Sequence, residues 1–149
     1  AKFYIQQSLM CFNANCFDAS LIMVGLANEV LVEVLIKAYS GYLGKANSSK
    51  KSLFDSNIEA ERTVSGKYRV YREHLKDSSM KIDQDLKKLN IHLDVLANET
   101  YLSYLRLTRN ELAHPASLKT DRITSLMIFI SLVKYCEKQY KFINYYREY

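Results

Sequence analysis

The sequence has no tryptophan, a single proline (Pro115) and only four glycines in 149 residues. So few chain breakers leave room for long helices and argue against a fold of many short strands and tight turns. Cysteine is sparse too. Cys11, Cys16 and Cys136 are an odd number with no CxxC spacing. Neither a disulfide framework nor a zinc site fits that pattern; buried free thiols in a reducing cytosol do. The longest apolar stretch, "ITSLMIFISLV", is too short to span a bilayer. Lys2 precedes a start broken by Gln6, Gln7 and Asn13, which does not read as a secretory leader. These absences predict a soluble, cytoplasmic chain with no membrane partner, folded as one domain over residues 1–149.

What is present is helical. Phe17, Leu21, Val24, Asn28, Leu31, Leu35, Ala38 and Tyr42 recur at alternating steps of four and three. That is one continuous face of a helix over residues 16–43. Ile22, Met23, Leu26, Val30 and Val34 widen the stripe, so this helix is expected at the centre of the fold. A shorter helix precedes it, with Phe3, Ile5, Leu9 and Phe12 apolar. "SGYLGKANSSKKS" (40–52) reads as a linker opened by a glycine C-cap at Gly41 or Gly44. Helix resumes over 53–77 along Val64, Tyr68, Tyr71 and Leu75, with a bend at Ser65–Gly66. Ile82, Leu86, Leu89, Leu93 and Leu96 form the next stripe, capped by Ser78 or Ser79. Residues 100–114 are helical until Pro115, which disfavours helix in the residue before it. After a turn at "SLKTD", with Thr120 or Asp121 as N-cap, a last helix runs from Arg122 along Leu126, Ile130, Val133 and Tyr140. No strand pattern and no repeat is visible. The expected fold is all-α, an up-and-down helical bundle of four principal helices plus short extra helices.

The 100–114 helix ends in "RLTRNELAHP". At about 100° per residue, Arg109 falls inside the apolar arc defined by Tyr101, Leu102, Leu105 and Leu112. Arginine is rarely buried unless paired, so this one calls for a carboxylate, a subunit interface or an anion. Asn110 and His114 project from the same flank, four residues apart. A histidine at a helix C-terminus is favoured in its protonated form, and it titrates near neutrality. A fixed cation, an amide and an imidazole thus converge on one helix edge. A histidine before a proline is also an ordinary stop signal, and Arg109 can be an ion-paired structural residue. Spacing does not separate the two readings.

"RNELAHP" resembles the signature of the HEPN superfamily, R-x(4–6)-H with asparagine directly after the arginine. Its place at the end of a helix, before the last long helix of an α-helical bundle, is similar too. "LANEVLVEVLIKAY" is similar to the long early helix of such domains, with Glu33 and Lys37 in an E-x-x-x-K pattern. The resemblance implies a metal-independent endoribonuclease without cofactor, serving bacterial defence, a toxin–antitoxin pair or RNA processing. It also implies a homodimer in which two copies of the motif face each other, and an antitoxin or regulatory protein as a further partner. RNA carries its own nucleophile, the 2′-OH, so the protein need only move protons and stabilise the phosphorane. His114 would be the general acid or base, Arg109 would grip phosphate oxygens, and Asn110 would orient them. One departure stands out: toxins of this family paired with a nucleotidyltransferase carry a tyrosine two residues after the histidine, where this chain has Ala116. The alternative reading is a non-catalytic module of the same superfamily, used for RNA binding or dimerisation within a larger protein.

Other residues suit supporting roles. Glu29 and Glu33 lie four apart; one of them can orient Arg109, or Glu33 can pair with Lys37 on a wet helix face. Segment 45–76 is rich in Lys and Arg. Lys67, Arg69 and Arg72, with Arg106, are candidates for following an RNA backbone, and Tyr68 or Tyr71 for stacking on bases. A solvated helix face explains the same charges. His74 and His92 have no partners at ligand spacing and read as surface residues, and no metal site is expected. The tyrosine-rich end, Tyr135, Tyr140, Tyr145, Tyr146 and Tyr149, reads as core and dimer contact.

Overall fold

The computed structural model describes residues 1–76, Ile82 and residues 120–148. The chain is an all-α helical bundle, with no strand among these residues. Five helices are described: α1 (Lys2–Asn13), α2 (Phe17–Ala46), α3 (Ser48–Ala60), α4 (Val64–Leu75) and α5 (Arg122–Glu148). The expected 100–114 helix, the stripe from Leu86 to Leu96 and its serine caps lie outside the described residues. Contacts divide the chain into two compact units. One holds Ala1–Leu31 and α5 as far as Glu137; the other holds α2 from Val32, all of α3 and α4, and α5 from Lys138.

α2 carries the predicted stripe. Leu21, Val24, Asn28, Leu31, Leu35, Ala38 and Tyr42 are all buried, and the flanking Ile22, Met23, Leu26, Val30 and Val34 are half-buried. The helix does not stop at a glycine, however. It runs through Gly41 and Gly44 to Ala46, with no glycine at positive φ. Tyr42 and Leu43 are buried in this last stretch, and their packing outweighs the helix cost of two glycines, roughly 1 kcal/mol each. At 30 residues, with a mean hydropathy of 1.9 over its most apolar window, α2 is long and apolar enough to cross a membrane. Just over half of that window, 56%, is buried inside the protein.

In the first unit, α1 meets the start of α2 through two buried serines. Ser8 Oγ donates to the Ser20 carbonyl at 2.8 Å, and Ser20 Oγ donates to the Ser8 carbonyl at 2.9 Å. Each hydroxyl satisfies itself on the other backbone, so the helices approach closely at no polar cost. Between them Asn15, at φ 58°, takes the left-handed conformation that asparagine tolerates. Phe12 packs edge-on against Phe17 and Phe129, and the Arg122 guanidinium lies over its ring at 5.5 Å.

The second unit is built around tyrosine. Tyr39, fully buried, meets Phe54, Tyr71 and Tyr146 edge-on at 5.0–5.2 Å between ring centres and stacks on Tyr42 at 6.1 Å. The Tyr71 and Tyr146 hydroxyls share a buried hydrogen bond of 2.9 Å. Desolvation of the phenolate pushes both groups far above the usual tyrosine range.

Two expectations are corrected here. The linker at 40–52 is not a loop: Asn47 alone separates α2 from α3, its side chain capping the Lys50 amide at 3.1 Å. The helix expected over 53–77 is two helices, broken at residues 61–63 rather than bent at Ser65–Gly66. Thr63 accepts from the Gly66 amide at 3.0 Å and starts α4 afresh.

α5 begins as predicted, with the Asp121 carboxylate accepting from the Thr124 amide at 2.7 Å. That cap holds the exposed Asp121 carboxyl below its ordinary range. Its core face differs from the expected one. Leu126, Ile130, Val133 and Tyr140 are exposed, whereas Ile128, Leu132, Tyr135, Gln139, Phe142, Ile143 and Tyr146 are buried. Both stripes step by three and four; the buried one carries the larger aromatic content, and packing selected it.

Candidate functional site

Arg109, Asn110, His114 and Arg106 lie outside the described residues, as does His92. Thr120, six residues beyond His114, is anchored. The Thr120 amide donates to Asp18 Oδ1 at 2.8 Å, at the first turn of α2. Asp121 then caps α5, and Arg122 covers Phe12. Three consecutive residues thus tie the end of the "RNELAHP" segment's connection to the first unit.

Glu29 is half-buried on α2. Glu33, one turn further, is exposed, and its Oε1 accepts from Lys67 Nζ of α4 at 2.8 Å rather than pairing with Lys37 along its own helix. The interhelical partner takes the carboxylate that the i, i+4 spacing offered to Lys37.

The other basic candidates also sit on α4. Arg69 donates from Nη2 to Glu61 Oε1 at 2.6 Å. Gly66 makes room for that glutamate: a Cβ there would stand 2.1 Å from Glu61 Oε2. Arg72 is half-buried next to Tyr68. Burial pushes the Tyr68 hydroxyl up to about 12, against the pull of the Arg72 charge. Nearby on α3, Asp55 accepts from Ser40 Oγ at 2.6 Å and pairs with Lys51. Partial burial raises its carboxyl, but the hydrogen bonds from Lys51 and Ser40 prevail and hold it below the usual range. Of the eight cations in 45–76, Lys51, Lys67 and Arg69 are thus matched by carboxylates. Exposed pairs of this kind contribute only about 0–1 kcal/mol each, so they are easily traded for another anion.

Tyr68 and Tyr71 do not offer rings to a base. Both are buried, and Tyr71 spends its hydroxyl on Tyr146. His74 is not a plain surface residue either; it is half-buried, with its ring edge-on to Phe54 at 5.0 Å. Of the tyrosine-rich end, Tyr135 and Tyr146 are core and Tyr140 is exposed. The three cysteines are free thiols but not buried as expected: Cys16 is exposed, Cys11 and Cys136 are half-buried, and partial burial raises the Cys136 thiol. Among the described residues no group of three His, Cys, Asp or Glu is arranged to hold a metal ion.

One concave feature of the second unit was not anticipated from sequence. Val34, Lys37, Ala38, Gly41 and Lys45 of α2, with Tyr146 and Arg147 of α5, line an open groove of about 470 Å³. Its signal in the sequence is the spacing Lys37–Gly41–Lys45, which sets two cations around a residue with no side chain. That spacing is invisible as a groove until Arg147, about a hundred residues later in the chain, is brought to it.

Compared with known proteins, the chain matches no family model, no curated protein and no solved structure.

Proposed function

We propose that this protein is a metal-independent endoribonuclease that cleaves RNA by attack of the 2′-OH, with Arg109, Asn110 and His114 as its reacting set. The observation that carries the reading is the run "RNELAHP": a cation, an amide and an imidazole within six residues, at a spacing that a helix would set on one edge, resembling the R-x(4–6)-H signature of HEPN domains. His114 moves the proton to or from the ribose and the leaving oxygen, and Arg109 neutralises the phosphorane. The all-α fold agrees with the reading, and the chain is anchored at Thr120, Asp121 and Arg122, ahead of the last helix. RNA is the substrate, the working compartment is the cytoplasm, and a bacterial defence, toxin–antitoxin or RNA-processing system is the setting.

A single helix edge leaves half of such a cleft open to water, so the active form is a homodimer. The exposed side of α5 supports association with a second copy. Ile123, Leu126, Ile130 and Val133 take the a, d, a, d positions of a heptad, and Ile123, Ile130 and Val133 are 71%, 55% and 58% exposed. The four are spaced symmetrically about position 128, so an antiparallel copy sets Ile123 against Val133 and Leu126 against Ile130.

The test is incubation of purified protein with labelled RNA in EDTA. Cleavage is expected to persist in chelator and to leave 2′,3′-cyclic phosphate ends. His114→Ala and Arg109→Ala are each expected to lose about 10²- to 10⁴-fold in rate with unchanged circular dichroism. Equal cleavage of fully 2′-O-methylated RNA would refute 2′-OH attack. Wild-type rates in both variants would make the motif structural.

A further inference from the structure

We propose that the groove lined by Lys37, Lys45 and Arg147 is a binding site for nucleotide phosphates. The site does not rest on the ribonuclease reading, since none of the 109–114 residues contributes to it.

The argument begins with the floor. Gly41 is exposed on α2, and a Cβ built there meets nothing within 4 Å. A ligand can therefore lie directly on the helix backbone. Lys37 and Lys45, at i−4 and i+4, are displaced by about 40° to either side of Gly41 around the helix, so they flank the floor rather than fill it. Val34, Ala38 and Tyr146 complete an apolar bed, and Arg147 closes the remaining side. The volume of about 470 Å³ lies within the range of roughly 300–1,000 Å³ typical of ligand clefts.

Charge decides the ligand class. No acidic residue is among the described residues that line the groove. Three carboxylates of this unit are paired elsewhere, Glu33 with Lys67, Asp55 with Lys51 and Glu61 with Arg69, and Glu148, beside Arg147 in sequence, is not among the lining residues. Lys45 and Arg147 stand in the last turns of their helices, where the backbone itself favours a cation. Two helix C-termini supply only roughly −0.5 charge each. Against about −1 from the two helix ends and the −1 of Glu148 beside Arg147, three full positive charges leave the groove net positive. An anion with more than one charge and an apolar body fits this arrangement. A phosphate accepts from Arg147 as a fork and from each lysine as a point charge, and a base or sugar covers the bed. The shared chemistry is the nucleotide phosphate, carried by a strand or by a free nucleotide.

The experiment measures binding by the full chain, with no cleavage involved. A fluorescein-labelled 2′-O-methyl oligonucleotide, which has no free 2′-OH, is titrated by anisotropy, and AMP is titrated by calorimetry. The triple variant Lys37→Gln/Lys45→Gln/Arg147→Gln is compared with Lys2→Gln/Lys76→Gln/Lys134→Gln, which removes the same charge from exposed sites elsewhere. Gly41→Leu keeps every charge and fills the bed; leucine is a better helix former than glycine there, and circular dichroism verifies the fold of each variant. If a strand is the ligand, the groove triple and Gly41→Leu each weaken the oligonucleotide at least tenfold. The control triple then changes it less than threefold. The slope of log K against log salt drops by about 2 in the groove triple, at roughly 0.7 per phosphate contact. If a free nucleotide is the ligand, the same variants abolish the AMP heat and leave oligonucleotide binding as it was. Equal weakening by the control triple, or wild-type binding of both ligands by Gly41→Leu, overturns the site. Since no RNA is cut, loss of the site and loss of the ribonuclease reading are read separately.

Discussion

Tyr71 and Tyr146 show how one buried hydrogen bond constrains two positions far apart in the chain. Their hydroxyls meet at 2.9 Å inside an aromatic cluster, each being the partner that allows the other to be there. Tyr71→Phe strands the Tyr146 hydroxyl in a dry core, and the expected loss is about 1–3 kcal/mol in urea unfolding. Tyr71→Phe/Tyr146→Phe removes both polar groups and keeps both rings, so most of that loss should return. A double variant that loses the full sum of the single losses would mean that the hydroxyls contribute independently, by packing rather than by pairing. The same logic applied to charge explains why Glu33 ignores Lys37. An intrahelical pair is worth a few tenths of a kcal/mol, so a cation presented by another helix competes easily.

The break between α3 and α4 turns on one cap. Residues 53–77 have helical periodicity throughout, and nothing in that pattern stops the helix at Ala60. Thr63 does so by presenting its side-chain oxygen to the Gly66 amide, while the chain at Glu61 extends and its carboxylate meets Arg69. Thr63→Ala is expected to lower stability by about 1 kcal/mol, within the usual range for a lost N-cap, and Thr63→Ser to leave it nearly unchanged. A Thr63→Ala protein with wild-type Tm would mean that packing of Tyr68 and Tyr71 positions α4 without the cap. Glycine has opposite roles in the two neighbouring elements. At 66 it clears space for a glutamate, and at 41 it leaves open ground on a helix that continues past it.

For the molecule as a whole, the side of α5 that packing left outside is the feature with the largest consequence. If the active form is a homodimer that uses this seam, Ile130→Glu places a charge in the middle of it. Light scattering at tens of micromolar, about the range in which weak interfaces fail, is expected to show the wild type as a dimer and the variant shifted to monomer. RNA cleavage should fall with the dimer. A wild-type monomer at that concentration would remove the composite cleft. A variant that stays dimeric would remove the α5 seam and leave other surfaces to hold the copies together.

The helical class of the chain was legible from composition, because a sequence nearly free of proline and glycine has few ways to turn. So was the inner face of α2, where apolar residues recur over seven turns and only one register buries them. The cap at Asp121 was legible for the same reason: its chemistry is local. The candidate reacting set is also a local pattern, three residues within a run of six. Distant partners were what local pattern could not supply. On α5 two stripes satisfied the same period, and the choice between them waited on the aromatic rings of α2, α3 and α4 that Tyr146 had to meet. Lys67 took Glu33, and Arg147 joined Lys37 and Lys45, only when helices far apart in sequence came together. Periodicity reports which side of a helix can be dry; which of two dry-capable sides is covered, and which charges are left over at the rim, depends on the surface each helix meets.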